Sequence, residues 1–297
     1  MRIKRCLLGA AVGLSALLHP FTAAADEDRL AQIQERGVLD VAVYRDFPPY
    51  SFVGADGRYT GLDVRIAEML AEEMGLKARV RPFTADENLD DDLRNQIWRG
   101  PLLGGGISDL MMRVGMDPRF VEKQQSRVEI FNPYGHERLA VVYNHEAIGE
   151  VETPLDLSRG KVAVEIDSMS DYYVSGAFNG RLRERAVRLP SLTAAVETYL
   201  KGEADAVMAP RGELEGVMHA AGKTVEGAVS ITEFVGMFRT AWDVGMAIQA
   251  NNPQLRTALT RAMDRLREDG RIDAAFAEYG MTAQRAEPLL QVGVGGP

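Results

Sequence analysis

The sequence contains a single cysteine, Cys6, and it lies within the first 25 residues. The rest of the chain cannot form an internal disulfide, so its stability must come from a packed core. Basic residues are also few, since 34 Lys and Arg stand against 43 Asp and Glu, for a formal net charge of −9. This acidic excess argues against nucleic acid and anionic lipid as partners, because both would be repelled.

Long apolar runs are also lacking, apart from one near the N-terminus. Residues 6–18 are apolar, follow a basic start (MRIKR) and precede small residues at Ala23 and Ala25, which is the pattern of a secretory signal peptide. The run is shorter than the roughly 20 residues that a membrane span needs. We therefore expect residues 1–25 to be removed on export to the periplasm. The remaining 272 residues would have a net charge of −12, because the removed segment has three bases and no acids.

Short β-rich runs alternate with amphipathic helical patterns along the rest of the chain. The predicted strands are residues 38–43, 79–83, 107–114, 139–143, 161–166, 187–190, 205–209 and 242–249. The predicted helices are residues 62–74, 90–98, 170–178, 191–199, 212–219, 253–267 and 272–279. Such alternation predicts an α/β fold with mainly parallel sheets flanked by helices. Two sets of elements, joined by the strands at 139–143 and 242–249, indicate two lobes linked by two crossings.

Several stretches together resemble the amino-acid-type periplasmic solute-binding proteins of ABC transporters. They are Phe47–Phe52 (FPPYSF), Asp56–Ala67 (DGRYTGLDVRIA), Ser108–Met112, Phe131–Tyr134 (FNPY), Pro154–Val164, Leu192–Met208, Val244–Gln249 with Asn252–Pro253, and Leu266–Gly280. The resemblance implies the type II two-lobed binding-protein fold with two hinge strands and a ligand cleft between the lobes. We expect lobe 1 to comprise residues 26–140 and 247–290, lobe 2 to comprise 141–246, and residues 291–297 to form a flexible tail of a monomeric protein.

The resemblance also suggests where a ligand would bind in lobe 1. Tyr44, Phe47 and Tyr50 follow the first strand, where the family has an aromatic wall. The alternative is that Pro48 and Pro49 force an extended turn with the aromatic rings packed beneath it. Arg119 resembles the arginine that holds the ligand carboxylate, since a guanidinium can form two parallel hydrogen bonds. A surface arginine beside a turn is the competing interpretation.

In lobe 2, residues 167–171 (DSMSD) lie between a predicted strand and a predicted helix, where backbone N–H groups favour an anion. Ser168, Ser170 and Asp171 are therefore candidate ligand contacts, although ordinary helix capping by Ser170 would also explain them. The family has an ammonium-binding aspartate about five residues after Asp205. This chain has Ala-Pro-Arg at residues 209–211, and Arg211 would repel an ammonium group. The sequence thus favours a carboxylate without an amine, or no small ligand.

Other functional sites find little support in the sequence. The three histidines after residue 25 lack metal-ligand spacing, and the acidic run at 86–92 lacks the glycine and terminal glutamate of a calcium loop. Residues 104–106 (GGG) have no phosphate-loop lysine, and there is no Gly-x-Ser-x-Gly nucleophile motif. We therefore expect no metal, no cofactor and no enzymatic activity.

Three functions remain as alternatives. The first is a solute-binding protein that delivers a small ligand, expected to bear a carboxylate, to an ABC permease. The second is an accessory protein of a periplasmic quinoprotein dehydrogenase, because the insertion at 88–106 resembles a divergent branch related to the J-type proteins of methanol oxidation. The third is a dehydratase, since some family members are dehydratases with an acid in the helix-start loop, where this chain has Asp171.

Overall fold

The computed structural model of the protein describes residues 28–225, 229–230 and 241–284. The predicted signal peptide at 1–25 and the predicted tail at 291–297 lie outside these ranges. Within them, no helix combines the length and the apolar character that a membrane span requires.

The described elements include ten α-helices and eleven strands. The helices are α1 Arg29–Arg36, α2 Leu62–Glu73, α3 Leu89–Leu93, α4 Pro118–Gln124, α5 His145–Ile148, α6 Met169–Gly180, α7 Leu192–Leu200, α8 Arg211–Ala220, α9 Pro253–Glu268 and α10 Arg271–Glu278. A π-helical turn, Arg94–Trp98, continues α3. The strands are β1 Val38–Tyr44, β2 Phe52–Val53, β3 Tyr59–Thr60, β4 Lys77–Phe83, β5 Leu110–Gly115, β6 Val128–Tyr143, β7 Val162–Glu165, β8 Ala186–Leu189, β9 Ala206–Pro210, β10 Val229–Ser230 and β11 Ala241–Gln249.

One sheet runs through both halves of the molecule in the order β4-β1-β5-β11-β6-β9-β7-β8, with β10 paired to β6. In the first half β1 is parallel to β4 and β5, and in the second half β7 is parallel to β8 and β9. The central strands β11 and β6 are antiparallel to their neighbours and connect the two halves. The predicted α/β architecture of mainly parallel sheets flanked by helices is confirmed.

The long strand β6 begins 11 residues before the start that the sequence predicted, at Val128 instead of residue 139. Pro133 has no N–H and Gly135 has no side chain to pack, so both residues normally argue against a strand. The sheet tolerates them because the register with β11 shifts between the pairs Phe131↔Met246 and Gly135↔Val244. The proline therefore lies in a bulge, where it need not donate a ladder hydrogen bond.

The partner of β6 changes in the middle of the strand. It pairs with β11 as far as Arg138 and with β9 from Leu139 onwards. This change lies close to the predicted lobe boundary at residue 140, whereas β11 pairs with β5 and β6 over its length. The full assignment of residues 26–140 and 247–290 to one lobe and 141–246 to the other stays a prediction.

Each half has its own buried core on both faces of the sheet. In the first half, Leu39 and Val41 of β1 pack towards α2 and α9, while Ala42 packs on the opposite face with the π-helical turn. In the second half, the core residues on one face come from α7 and α8 and those on the other from α6. Because each half buries its own apolar residues, the junction between them is free to hold polar groups.

Candidate functional site

A buried group of charged and aromatic side chains lies where the two halves meet. It comprises Tyr50, Asp63, Arg113, Tyr134 and Glu137, and we call it the junction cluster. All five side chains are at least nine-tenths buried. Asp63 comes from the first turn of α2, Arg113 from β5 and Glu137 from the point of β6 just before its change of partner.

Arg113 is the cation of the junction cluster. Its Nε and Nη2 donate to the two carboxylate oxygens of Asp63, at 2.7 and 3.2 Å, and its Nη1 donates to Glu137 Oε1 at 3.0 Å. The guanidinium carbon lies 3.1 Å from the centre of the Tyr50 ring. Burial disfavours its charge, but the surrounding acids, Asp63 foremost, raise the pKa of Arg113 above its ordinary value.

Two carboxylates therefore face one guanidinium, and the cluster has a formal charge of −1. Glu137 Oε1 also accepts a hydrogen bond from the Tyr50 hydroxyl at 2.6 Å, but Glu137 Oε2 has no hydrogen-bond partner among the described residues. A buried, unpaired carboxylate oxygen is costly unless something else binds it. A Cβ at Gly212, at the start of α8, would lie 3.2 Å from Oε2 and 3.3 Å from Oε1, so the Glu137 carboxylate faces the second half.

A second acid from the other half approaches the same place. Glu213 lies in the first turn of α8, and burial together with the negative charge of Glu137 raises its pKa to about 8. Glu165, at the end of β7, contributes further to that shift, and burial raises its own pKa. Near neutral pH, Glu213 can hold a proton or release it when a cation arrives. The junction is thus acidic on both sides.

The two halves are in contact beside the junction cluster. A Cβ at Gly216 of α8 would lie only 2.4 Å from Pro49, and one at Gly212 would lie 2.7 Å from the Tyr50 hydroxyl. The backbone N–H of Thr282 donates to Glu215 at 2.7 Å. Such close approaches require glycine at these helix positions. They also show that the two halves are closed on each other here.

The structure brings together the three aromatic residues predicted from the sequence. The rings of Phe47 and Tyr50 are 5.2 Å apart, those of Tyr44 and Phe47 are 6.2 Å apart, and Tyr44 also packs on Phe83 at 4.7 Å. Tyr50 is fully buried, and Arg113 covers its ring. The Tyr44 hydroxyl donates to Asp92 at 2.9 Å. Whether any of these rings contacts a ligand stays a prediction.

The two predicted arginines do not belong to the junction cluster. Arg119 is exposed in α4, a helix that the sequence did not predict, and its backbone N–H donates to the N-cap residue Asp117 at 2.9 Å. Arg211 begins α8 and forms an ion pair with Glu215 at 2.7 Å. A part in ligand binding remains a prediction for both.

The predicted contacts at the start of α6 are largely engaged within their own loop. Ser168, and not Ser170, is the N-cap: its hydroxyl accepts from the Asp171 N–H and donates to the Glu165 carbonyl at 2.7 Å. Asp171 accepts from the Asp167 backbone, from Ser175 and from Arg188, the last at 2.7 Å. Ser170 is buried, and its hydroxyl has no hydrogen-bond partner within the described ranges.

The structure adds carboxylates that bear on ammonium binding. Residues 209–211 carry no acid, but Glu137 on β6 and Glu213 on α8 place carboxylates at the junction. The sequence-based inference that the ligand is a carboxylate without an amine, or that there is no small ligand, stays a prediction.

The sequence did contain signals for the missed residues. Arg113 interrupts an otherwise apolar strand (LMMRVG), and a charge in a buried strand needs a partner. Asp63 lies within the DGRYTGLDVRIA stretch that carried the family resemblance. Glu137 was harder to find, because the proline and glycine before it hid the first part of β6.

A cavity of about 290 Å³ lies between the halves next to the junction cluster. Pro48, Pro49, Val217 and Tyr279 are among its mainly apolar lining residues, and no charged residue of the cluster lines it. Among the residues that the structure describes, there is no group of three or more His, Cys, Asp or Glu side chains that could hold a metal ion.

Comparisons with known proteins are consistent with the observed fold. Residues 39–97 match the family model of bacterial extracellular solute-binding proteins, family 3. The chain is 27% identical over 197 residues to cyclohexadienyl dehydratase of Pseudomonas aeruginosa, covering 59% of this chain and 72% of that protein. It is 42% identical over 62 residues to the L-cystine-binding protein TcyJ of Escherichia coli, but that match covers only 21% of this chain and 23% of that protein.

The solved structure of an ancestral cationic amino acid solute-binding protein has the same fold. It superposes with a TM-score of 0.64 at 21% identity and covers 84% of this chain and 99% of that one. The predicted two-lobed type II binding-protein fold is therefore confirmed.

Proposed function

We propose that this chain is a periplasmic solute-binding protein whose lobes close on a small solute bearing an amine, for delivery to an ABC-type transporter. The observation that carries the proposal is Glu137 Oε2, a buried carboxylate oxygen without a hydrogen-bond partner among the described residues, in a carboxylate that faces α8 of the other half. An ammonium group would supply the missing donor and neutralise the charge of the cluster. Because Glu213 lies on the opposite side, the same cation would interact with both halves and favour closure.

The sequence predicted a ligand with a carboxylate, and this part has less support from the geometry. Arg113 is the cation at the junction, but its three bonding nitrogens donate to Asp63 and Glu137. A ligand carboxylate would have to displace one of these acids and would approach a cluster that is already negative. We keep the carboxylate-bearing ligand as the competing version of the proposal.

The test is a thermal-shift and calorimetry screen in which each solute class is represented. Primary amines such as ethanolamine and putrescine should raise the melting temperature, whereas lactate and succinate should not, because a ligand that binds only the folded state adds stability. Glu137→Gln should weaken amine binding about tenfold or more, since a neutral amide cannot pair with an ammonium. Glu150→Gln, an exposed acid, is the matched control. Binding of carboxylates but not amines would contradict the proposed ligand class.

An accessory role beside a periplasmic quinoprotein dehydrogenase is the second candidate. The insertion at 88–106 forms α3, the π-helical turn and a loop that exposes Leu102 and Leu103 almost completely. Adjacent exposed leucines are unusual on a monomer surface and are typical of contact residues. Neighbouring genes for a dehydrogenase and a c-type cytochrome, with no permease gene, would favour this role. Loss of dehydrogenase co-purification in a Leu102→Ser, Leu103→Ser variant would support it directly.

A dehydratase activity has the least support. The sequence suggested Asp171 as the general acid, but its carboxylate is paired with Arg188 and accepts two further hydrogen bonds. A dicarboxylate substrate would also meet a junction with more acids than bases. We therefore expect no turnover of prephenate or arogenate by the purified protein, and measurable turnover would require the site to be reconsidered.

A further inference from the structure

Arg113 has an unusual backbone conformation for a strand residue. It lies in β5 with φ at 59°, in the left-handed region that non-glycine residues seldom adopt. This backbone conformation accompanies a guanidinium that lies against the Tyr50 ring in the space between the halves, with only 7% of the side chain exposed. The side chain therefore fills part of the closed junction.

The surroundings of Arg113 are those that a protein offers to a guanidinium ligand. A carboxylate, Asp63, accepts from Nε and Nη2, a second carboxylate, Glu137, accepts from Nη1, and an aromatic ring covers one face. Fork-shaped pairing with a carboxylate and stacking on an aromatic face are the two interactions that distinguish guanidinium from ammonium recognition.

These recognition groups are held in place by contacts other than Arg113. The Tyr134 hydroxyl donates to Asp63 Oδ1 at 2.8 Å and accepts from the backbone N–H of residue 113, and the Tyr50 hydroxyl donates to Glu137. None of these contacts uses the guanidinium. The positions of these groups are thus held by hydrogen bonds that remain when the arginine side chain is removed, although the loss of its charge should destabilise the fold.

We propose that the Arg113 side chain acts as a built-in ligand: it fills a guanidinium subsite formed by Tyr50, Asp63 and Glu137 Oε1, and thereby excludes guanidinium solutes from the cleft. Arg113 is then a specificity-determining residue, which leaves only Glu137 Oε2 and the Glu213 side of the junction for a soluble ligand. The inference goes beyond the proposed function, because it concerns a different part of the junction and does not require that the solute bear an amine.

The test uses Arg113→Ala with ethylguanidine, which replaces the atoms that the substitution removes. Ethylguanidine at millimolar concentration should raise the melting temperature of the variant in a saturable way, while the wild-type protein should need at least about tenfold more for the same shift. Ethylammonium, which has the charge but not the planar fork, should have a much smaller effect. Arg58→Ala, which removes an arginine whose side chain is 86% exposed, should behave like wild type.

A second substitution separates a built subsite from a simple cavity. Adding Tyr50→Leu to Arg113→Ala should weaken ethylguanidine binding about tenfold, because the aromatic face and the hydroxyl that holds Glu137 are both lost. If Arg113→Ala folds but ethylguanidine does not stabilise it, the proposal is overturned. Equal stabilisation of the wild-type protein would overturn it as well.

A measurement on the wild-type protein covers the case in which Arg113→Ala does not fold. If the variant folds only when ethylguanidine is present, that result supports the proposal. If it folds in neither condition, nitrogen-15 NMR of the wild-type arginine Nε–H groups decides. Arg113 should show an Nε–H that exchanges with water at least about a hundredfold more slowly than that of Arg119, since opening must precede exchange. Equal rates would refute a resident guanidinium. A negative solute screen would refute only the proposed function.

Discussion

Two buried carboxylates, Asp109 and Glu137, show how similar chemistry serves different ends in this molecule. Asp109, in the first half, pairs with Arg29 and Arg36 of α1 and accepts a hydrogen bond from the backbone N–H of Asp40 at 2.8 Å. Both of its oxygens are satisfied. Glu137, at the junction, shares Arg113 with Asp63 and leaves Oε2 without a partner in the described part of the chain. The first arrangement secures a helix to the sheet, whereas the second leaves charge available for a ligand.

The largest expected difference concerns the cations of the two sites. Arg113→Met should destabilise the protein by about 3–5 kcal/mol, because it leaves Asp63 and Glu137 buried without a counter-charge. Arg36→Met should cost about 1 kcal/mol, since Arg29 and the Asp40 N–H still bind Asp109 and the pair is partly exposed. Urea denaturation measures both free energies of unfolding. A smaller loss for Arg113→Met than for Arg36→Met would contradict this view of the junction.

The sequence predicted the apolar core elements better than the polar junction, where a buried carboxylate oxygen lacks a hydrogen-bond partner among the described residues. Apolar periodicity located β1, α2 and α9 to within one or two residues, because their cores obey a simple pattern of burial. The short helices α1 and α4 were missed, although α10, which has eight residues like α1, was predicted. Tyr44, Phe47 and Tyr50 were found as a group, but Arg113 and Glu137 were not.

Arg113 and Glu137 were missed because the junction depends on contacts between residues that are far apart in the chain. Arg113 meets Asp63 across 50 residues and Glu137 across 24, and Glu213 reaches the same place from the other half. A family position such as residues 209–211 can be checked one residue at a time. A carboxylate that approaches the site from another strand can be recognised only when the strands are assembled.

Neutralising the two carboxylates should have unequal effects on stability, both smaller than the effect of Arg113→Met. Asp109→Asn should cost about 1–3 kcal/mol, because two arginines lose their charged acceptor. Glu137→Gln should change the free energy of unfolding by less than about 1 kcal/mol, since it also relieves the surplus negative charge. Urea denaturation of the solute-free protein makes the comparison. If Glu137→Gln were the more damaging substitution, Glu137 would have to be regarded as a structural residue like Asp109.

The last expected effect is a dependence of stability on pH that originates from Glu213. Its pKa is about 8 in the folded protein, above the ordinary value of 4.5 for a glutamate, because burial and Glu137 disfavour its charge. Between about pH 5 and pH 8 the folded state therefore retains a proton that the unfolded state has released, and stability falls as the pH rises. Glu213→Gln removes this titration. As the pH rises from 5.5 to 8, the free energy of unfolding of the variant should therefore increase by roughly 1 kcal/mol or more relative to that of the wild-type protein.

The pH experiment must be read as a difference between proteins, since burial also raises the pKa of Glu165 and Asp63. Melting curves of the wild-type protein, Glu213→Gln and the exposed control Glu150→Gln should be compared at both pH values. Only Glu213→Gln should flatten the pH dependence. An added amine should flatten it too, because a bound cation offsets the charge that keeps Glu213 protonated. If neither the substitution nor the amine changes the slope, Glu213 does not share a site with Glu137, and the acidic junction would reduce to a single carboxylate.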